Sequence, residues 1–229
     1  MDQTSMKGAP RSKEFDDVYF SAADGLAETR FVFLEKNNLP AAFAGHERFT
    51  IFETGFGTGL NFLAAWQLFE EYADEGQSLH FISVEKYPLS AAEIEGYLAP
   101  FAQEFPEHLQ KLIECYPESL DQGRHEVELG EAMHLSLIIG DVNAVMDDVT
   151  ERIDCWFLDG FKPSSNPEMW SETLFSNMAR LSKKGAHFAT FTAAGFVKRG
   201  LRDAGFDVQK VRGFGTKRDM LIGQFSGCG

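Results

Sequence analysis

The sequence predicts a doubly wound α/β fold, because short apolar segments alternate along the chain with stretches of helical pattern. Four of these segments have the length of buried strands and are bounded by polar residues or glycine. They are residues 79–85, 135–139, 153–158 and 186–191. A shorter segment of the same kind, residues 50–53, comes before them. Such alternation of strand and helix predicts a largely parallel sheet.

The helical pattern lies between and after these strands. Helices are expected at about residues 59–72, 90–104, 107–114, 142–149, 170–181 and 194–204. Two extended segments, residues 206–210 and 219–224, follow the final helix and are separated by a glycine-containing loop. They predict an antiparallel pair that closes a sheet of seven strands.

The length of 229 residues suits one α/β domain, since a single core remains efficient up to roughly 250 residues. We therefore expect residues 46–229 to form the main domain and residues 1–45 to form an N-terminal extension. The extension contains an aromatic cluster at residues 15–20, which suggests a lid or an edge hairpin.

Several classes of protein are disfavoured by composition. The sequence has no apolar run near the ~20 residues of a membrane helix, and its start resembles no secretory signal. Cys115, Cys155 and Cys228 are widely spaced, and the histidines show no ligand spacing, which argues against a disulfide framework and a metal site. We expect a cytoplasmic protein with no metal and no membrane partner.

Charge is distributed unevenly along the chain. The formal net charge is −14, yet residues 180–218 hold ten basic and two acidic residues, so this segment carries +8 and the rest −22. This asymmetry would allow one cationic face to meet a polyanion while the remaining surface repels it. The alternative is a set of solvated charges without a partner.

The strongest motif is the segment Glu53–Gly59, in which alternate residues are glycine after an acidic strand end and before a helix. The glycines are Gly55, Gly57 and Gly59. They permit positive φ and close approach of a ligand, and the helix start offers free N–H groups. A dinucleotide fingerprint would need glycine where Leu60 or Phe62 stands, and no phosphate loop follows. The spacing favours S-adenosylmethionine over NAD, the alternative being a turn without a ligand.

Two further carboxylates stand at strand ends. Glu85 can accept hydrogen bonds from both ribose hydroxyls, or it can be an ordinary strand-end charge paired with Lys86. Asp141 can accept from the adenine amino group, or it can cap the next helix. Because ligands of open α/β sheets bind beyond the carboxyl ends of the strands, we expect both to lie beside the glycine turn.

Asp159 lies in the segment Phe157–Pro163, where a carboxylate is followed by glycine, an aromatic residue and proline. Methyl transfer to nitrogen requires a neutral, aligned lone pair, so the site must position an amine and remove its proton. Asp159 is the candidate for both, with Phe161 stacking on a base. The alternative is that Asp159 caps the next turn and Phe161 packs in the core.

These motifs together resemble the methyltransferase domain of the MnmC family. The resemblance rests on residues 15–21, 53–62, 157–163, 189–200 and 213–220 and covers nearly the whole chain. It implies a class I S-adenosylmethionine-dependent methyltransferase fold. The implied reaction is conversion of the 5-aminomethyl group of wobble 5-aminomethyl-2-thiouridine in tRNA to 5-methylaminomethyl. Larger members carry a flavin-dependent oxidoreductase domain, so a separate oxidoreductase acting on the same nucleoside is an expected partner.

Motifs and resemblance together define the expected site, with Asp159 as the catalytic residue. The expected cofactor-binding residues are Glu53, Gly55, Gly57, Gly59, Asn61, Phe62, Glu85, Lys86, Asp141 and Asp159. The expected substrate-binding residues are Asp17, Tyr19, Phe161, Lys198, Arg199, Arg202, Lys217 and Arg218. Two alternatives stay open: N-methylation of a small amine, and an inactive module on the same fold that binds tRNA or protein.

Overall fold

The computed structural model describes residues 24–227. Its strands are β1 (Arg48–Glu53), β2 (Ser78–Glu85), β3 (Gly123–Glu128), β4 (Met133–Ile139), β5 (Ile153–Phe157), β6 (Ser182–Thr190), β7 (Phe206–Arg212) and β8 (Asp219–Phe225). The α-helices are α1 (Gly25–Thr29), α2 (Leu60–Tyr72), α3 (Ala91–Leu98), α4 (Pro106–Cys115), α5 (Val142–Val145), α6 (Glu172–Leu181) and α7 (Gly195–Asp203).

The eight strands form one sheet in the order β3-β4-β2-β1-β5-β6-β8-β7. The five strands from β4 to β6 in that order are parallel to one another. Strand β8 pairs antiparallel with both β6 and β7, so β7 runs in the same direction as β6. Helices connect the parallel strands, and an antiparallel pair closes the sheet. The predicted class I methyltransferase fold is confirmed.

The predicted count of seven strands was one too few. The additional strand, β3, lies at the edge of the sheet and pairs antiparallel with β4. Its sequence, Gly-Arg-His-Glu-Val-Glu, buries only Val127. An edge strand with mostly solvent-facing side chains carries no apolar run, so the criterion that identified the other strands missed it.

Helix boundaries follow local chemistry. The helix expected at 90–104 ends at Leu98 and continues as a 3₁₀ turn, Ala99–Phe101. Pro100 explains the change, because proline lacks an N–H to donate within a helix. At the other end, Ser90 and Glu93 form a reciprocal capping box that fixes the start of α3.

The sheet is covered on both faces, as a doubly wound fold requires. Ile51 and Phe52 are adjacent on β1, are both fully buried, and belong to separate apolar clusters. Helices α2, α3 and α4 contribute to the cluster that contains Ile51. Helices α5, α6 and α7 contribute to the cluster that contains Phe52.

Residues 24–45 pack into the same core as the rest of the chain. Helix α1 continues into a wider π-helical turn, Arg30–Leu34, and two short 3₁₀ turns follow at Glu35–Asn37 and Ala41–Phe43. Phe33 is buried and stacks on Phe157 of β5 with ring centroids 5.3 Å apart. The aromatic cluster at residues 15–20, expected to form a lid or an edge hairpin, lies outside the described residues.

No helix within residues 24–227 combines the length and the apolar character needed to cross a membrane.

Candidate active site

A cavity of about 630 Å³ opens at the carboxyl edge of the parallel strands. Segments that follow β1, β2, β4, β5 and β6 line it, together with α1 and Lys217 from the β7–β8 loop. This volume lies within the range of roughly 300–1,000 Å³ that small-molecule sites occupy. The position agrees with the rule that open α/β sheets bind ligands beyond their carboxyl ends.

The glycine turn forms part of this cavity, and two of its glycines have the positive φ that the sequence predicts. Gly57 and Gly59 have φ values of +53° and +78°, a region that favours glycine. A side chain at Gly59 would place Cβ 2.9 Å from the Phe56 ring. Gly55 and Gly57 line the cavity, whereas Gly59 turns the chain into α2.

Glu85 connects the end of β2 to this turn. Its Oε2 accepts the N–H of Gly57 at 2.8 Å, and its Oε1 accepts the N–H of Tyr87 at 2.8 Å. Burial raises the pKa of Glu85. The backbone N–H of Lys86 also interacts with this carboxylate, whose oxygens have two lone pairs each, so part of its acceptor capacity is left for a further donor. Glu85 lines the cavity, and this chemistry fits the two hydroxyls of a ribose.

Asp141 lines the cavity and also caps α5, as the alternative interpretation expected. Its Oδ1 accepts the N–H of Asn143 at 3.0 Å. Its Oδ2 accepts from Lys86 Nζ at 2.8 Å, and this hydrogen bond lowers the pKa of Asp141. Lys86 therefore pairs with Asp141 and not with its neighbour Glu85. The contacts are compatible with a ligand beside Asp141, although the carboxylate already has two partners.

Asn61 joins two carboxylates at the base of the cavity. Its Nδ2 donates to Glu53 Oε1 at 2.8 Å and to Asp159 Oδ2 at 2.6 Å. Its Oδ1 accepts from the hydroxyl of Thr29 at 2.8 Å. Every hydrogen-bonding group of the amide except one lone pair is thus used by the protein.

Glu53 is completely buried below this cavity. Ser83 donates its hydroxyl to Glu53 Oε2 at 2.8 Å. Burial and the nearby carboxylate of Asp159 raise the pKa of Glu53 well above its ordinary value. Glu53 itself is absent from the cavity lining, where Thr54 and Gly55 follow it. Glu53 can therefore influence a ligand only indirectly, by holding Asn61 or the glycine turn in position.

Asp159 lines the cavity between the glycine turn and the loop that follows β5. Its Oδ1 accepts the N–H of Gly160 at 2.8 Å, and Thr54 donates its hydroxyl to the Asp159 carbonyl at 2.6 Å. Burial raises the pKa of Asp159 to about 6. Asp159 therefore caps the turn that follows it, as the alternative interpretation expected, and its carboxylate also faces the cavity. Phe161 lines the same cavity rather than the core.

Phe62 lies elsewhere. The side chain is fully buried and packs against the rings of Phe56 and Phe81, with centroids 6.2 and 5.2 Å apart. It is absent from the cavity lining. It points from α2 into the core, so it supports the turn from behind and makes no surface available to a cofactor.

The expected basic residues divide into three groups. Lys217 lies at the cavity, where its ammonium bonds Glu28 of α1 and stands 5.0 Å from the centroid of the Phe191 ring. Arg202 donates to the carbonyl of Val208 at 3.1 Å. The remaining three have no acidic partner among the described residues. They are Lys198, Arg199 and Arg218.

Topology brings most of these cations to one edge of the sheet. Strand β6 ends at the cavity and leads into the start of α7, which carries Lys198 and Arg199. Strand β7 runs parallel to β6 and therefore ends at the same edge, where the loop with Lys217 and Arg218 follows. Asp17 and Tyr19, also expected to bind substrate, lie outside the described residues.

Motif analysis missed Glu28 and Thr29, which α1 contributes to the cavity. The segment Leu26–Leu34 is mostly apolar, and a buried threonine in such a helix needs a hydrogen-bond partner. The threonine was therefore a signal in the sequence, but its hydrogen-bond partner, Asn61, could be identified only from the fold. Among residues 24–227, no cluster of side chains has the composition of a metal site.

The sequence matches known proteins in agreement with this geometry. A family model of S-adenosyl-L-methionine-dependent methyltransferases matches residues 103–226. The tRNA 5-methylaminomethyl-2-thiouridine biosynthesis bifunctional protein MnmC of Stutzerimonas stutzeri is 51% identical over 94% of this chain and 33% of its own length. The protein of the same name from Methylobacillus flagellatus is 49% identical over 96% of this chain and 34% of its own length.

The chain spans about a third of the length of these curated relatives. Among solved structures, MnmC2 of Aquifex aeolicus superposes with a TM-score of 0.76 at 22% sequence identity, covering 95% of this chain and 67% of that one. This likeness shows a shared fold. The resemblance to the MnmC methyltransferase domain inferred from the motifs is confirmed.

Proposed function

The chain belongs to the S-adenosyl-L-methionine-dependent methyltransferase family, and we propose that it methylates the 5-aminomethyl group of wobble 5-aminomethyl-2-thiouridine in tRNA. The product would be 5-methylaminomethyl-2-thiouridine, the nucleoside in the name of the relatives. The observation that carries the proposal is the placement of Asp159, a cavity carboxylate with a raised pKa, beside the glycine turn.

S-adenosylmethionine is the cofactor of the family, and the cavity has groups that fit its parts. Gly55 and Gly57 line the cavity, so the turn presents backbone without side chains to a ligand. Glu85 keeps acceptor capacity for a ribose hydroxyl, and the carboxylate of Asp159 suits a cationic group. When bound, the cofactor supplies an electrophilic methyl group on a sulfonium.

The residues of this chain have two tasks in the proposed reaction. One is to hold the substrate amine in line with the methyl group, which is a matter of positioning. The other is to accept the proton that a protonated amine must lose before its lone pair can attack. Asp159 suits both, because its pKa of about 6 leaves it mainly ionised at neutral pH yet close to the value that favours proton transfer.

The basic residues at the carboxyl edge of the sheet, called here the cationic edge, favour tRNA over a small amine as the substrate. Lys198, Arg199 and Arg218 have no acidic partner within the described part of the chain and lie at the edge where the cavity opens. Phosphates of a nucleic acid are the natural partners of such cations, whereas a small cationic metabolite would be repelled by them. We also expect Asp17 and Tyr19 to contribute to substrate binding, as the motif resemblance implies.

The relatives are bifunctional, which suggests how the substrate arises. We infer that a flavin-dependent oxidoreductase, fused or separate, removes a carboxymethyl group to expose the primary amine. A cytoplasmic location would give the protein access to tRNA.

The decisive experiment supplies the protein with labelled S-adenosylmethionine and tRNA that carries 5-aminomethyl-2-thiouridine. We expect label in 5-methylaminomethyl-2-thiouridine after nucleoside digestion. Two parallel reactions contain tRNA with the carboxymethylated nucleoside and free small amines, and neither should accept label. Transfer to the free amines but not to tRNA would overturn the proposed substrate. Cofactor binding without any transfer would favour an inactive binding module.

A further inference from the structure

Three side chains from separate parts of the chain form a continuous hydrogen-bonded series at the base of the cavity. We propose that Thr29 and Asn61 are positioning residues for Asp159: the Thr29 hydroxyl fixes the Asn61 amide so that its Nδ2 faces the catalytic carboxylate. The contacts are 2.8 Å from Thr29 Oγ1 to Asn61 Oδ1 and 2.6 Å from Asn61 Nδ2 to Asp159 Oδ2. The inference rests on the proposed role of Asp159 as proton acceptor.

Donor and acceptor chemistry determines the direction of the series. The Nδ2 group has two hydrogens, and the two carboxylates of Glu53 and Asp159 accept one each. The amide oxygen must then face the other way, where it accepts from Thr29. A threonine hydroxyl has one hydrogen to donate, and Thr29 donates it to this oxygen, so the contact stabilises the orientation that the two carboxylates impose.

The opposite orientation of the amide would be costly. If the amide turned over, its oxygen would face the carboxyl oxygens of Glu53 and Asp159, and neither would keep its hydrogen bond from Asn61 Nδ2. Thr29 and Asn61 are only 5% and 7% exposed, so water has little access to compensate. Unpaired polar groups are expensive in such a setting. The hydrogen bond from Thr29 therefore stabilises the amide orientation in which Asn61 Nδ2 donates to Asp159.

The consequence for catalysis is electrostatic as well as geometric. Burial raises the pKa of Asp159, and the hydrogen bond from Asn61 opposes that rise. A donor to the ionised form keeps the carboxylate charged at neutral pH. Loss of the fixed amide should raise the pKa of Asp159 further, so that a smaller fraction can accept a proton from the substrate.

The test compares Thr29→Val with Thr29→Ser. Valine has the shape of threonine but no hydroxyl, whereas serine keeps the hydroxyl and loses the methyl group. We expect Thr29→Val to lower the single-turnover rate at pH 6 roughly two- to tenfold, the loss expected for one hydrogen bond, and to move the acid limb of the pH profile upward. Thr29→Ser should follow wild type in both. Equal profiles for the two variants would overturn the proposal.

A double-mutant cycle separates positioning from packing. In the Asp159→Asn background, Thr29→Val should have a smaller effect on the rate than in wild type, because the residue through which it acts is absent. Equal effects in the two backgrounds would show that Thr29 acts elsewhere, and the proposal would fail. S-adenosylmethionine affinity should be the same for Thr29→Val and Thr29→Ser.

A substrate-free measurement keeps this inference distinct from the proposed function. Carboxyl ¹³C NMR can follow the titration of Asp159 in wild type, Thr29→Val and Asn61→Ala. Both variants should titrate at higher pH than wild type, and Asn61→Ala also tests the proposal if Thr29→Val does not fold. An unchanged titration would overturn it. If the titration shifts while wild type transfers no methyl group to tRNA, the proposed function fails and the network stands.

Discussion

Gly57 donates its backbone N–H to Oε2 of Glu85 at 2.8 Å, so the glycine turn and the end of the neighbouring strand are joined by a direct hydrogen bond. The motif and the strand-end carboxylate, which lie 28 residues apart in sequence, therefore form one structural unit. A change at Glu85 should affect the ligand and the turn together.

We predict that Glu85→Ala weakens S-adenosylmethionine binding by about 1.5–3 kcal/mol, the range for hydrogen bonds to a charged group. Calorimetry gives the affinity, and circular dichroism shows whether the fold survives. Glu85→Gln is the informative companion, since its amide can keep one of the backbone contacts and should lose less. A folded Glu85→Ala variant with wild-type affinity would contradict a ribose-binding role.

Asp159→Asn should reduce methyl transfer by ~10²–10⁴, the usual contribution of a general base. Asparagine retains the shape but cannot take the proton. Single-turnover rates should fall far more than the affinities for S-adenosylmethionine and tRNA. In wild type the rate should decline as the pH falls through about 6, because protonation of Asp159 removes the acceptor. Full activity in the variant would move the acceptor to another group.

The same pKa predicts an effect on stability. Burial raises the pKa of Asp159 from 3.8 to about 6, so the folded state holds this proton more tightly than the unfolded state. Stability from this group is present at pH below about 4 and is lost as pH rises through about 6. Asp159→Asn should therefore raise Tm relative to wild type more at pH 7.5 than at pH 4.5. Glu95→Gln, at an exposed carboxylate on α3, is the control for charge loss.

Gly59→Ala should impair both the turn and cofactor binding. Position 59 has φ of +78°, and an added Cβ would come within 2.9 Å of the Phe56 ring. A left-handed conformation alone costs roughly 1–2 kcal/mol for a residue with a side chain. Gly96→Ala is a matched control, because Gly96 lies in α3 with nothing within 4 Å of the added carbon. It should leave binding unchanged and should not lower Tm. Similar losses in both variants would contradict this role of Gly59.

Charge reversal at the cationic edge should weaken tRNA binding and reduce its dependence on salt. Arg199→Glu and Arg218→Glu each remove a cation near the cavity, and each lost phosphate contact should lower the salt slope by about one. Lys184→Glu makes the same change of charge near the start of β6, at the opposite end of that strand. It should have little effect. Equal losses at all three positions would indicate a diffuse effect of net charge.

Buried apolar segments made most of the fold predictable. The seven expected strands are present, because each contributes side chains to a core and so carries an apolar pattern. Strand β3 escaped detection, since Val127 is its one buried residue. The short helical elements within residues 25–43 were not predicted, and several helix ends differ where single residues such as Pro100 decide the boundary.

The candidate site was predictable where one motif supplies it and not where distant segments meet. Glu85, Asp141 and Asp159 were expected from their strand ends, and all three line the cavity. Thr29 and Glu28 come from α1, and no periodicity indicates that this helix would cover the carboxyl edge of the sheet. Phe62 was named because it adjoins the glycine motif, but helical geometry turns it toward the core. Proximity in sequence did not reveal the direction of that side chain.

The bond between Lys217 and Glu28 spans 189 positions of the chain. One wall of the cavity therefore comes from α1, while the residue that meets it emerges from the ribosome only after nearly all of the strands have been made. A nascent chain that lacks the β7–β8 loop would have the glycine turn and every strand-end carboxylate, but an open cavity. We therefore expect the complete cavity to form only after synthesis has passed residue 217.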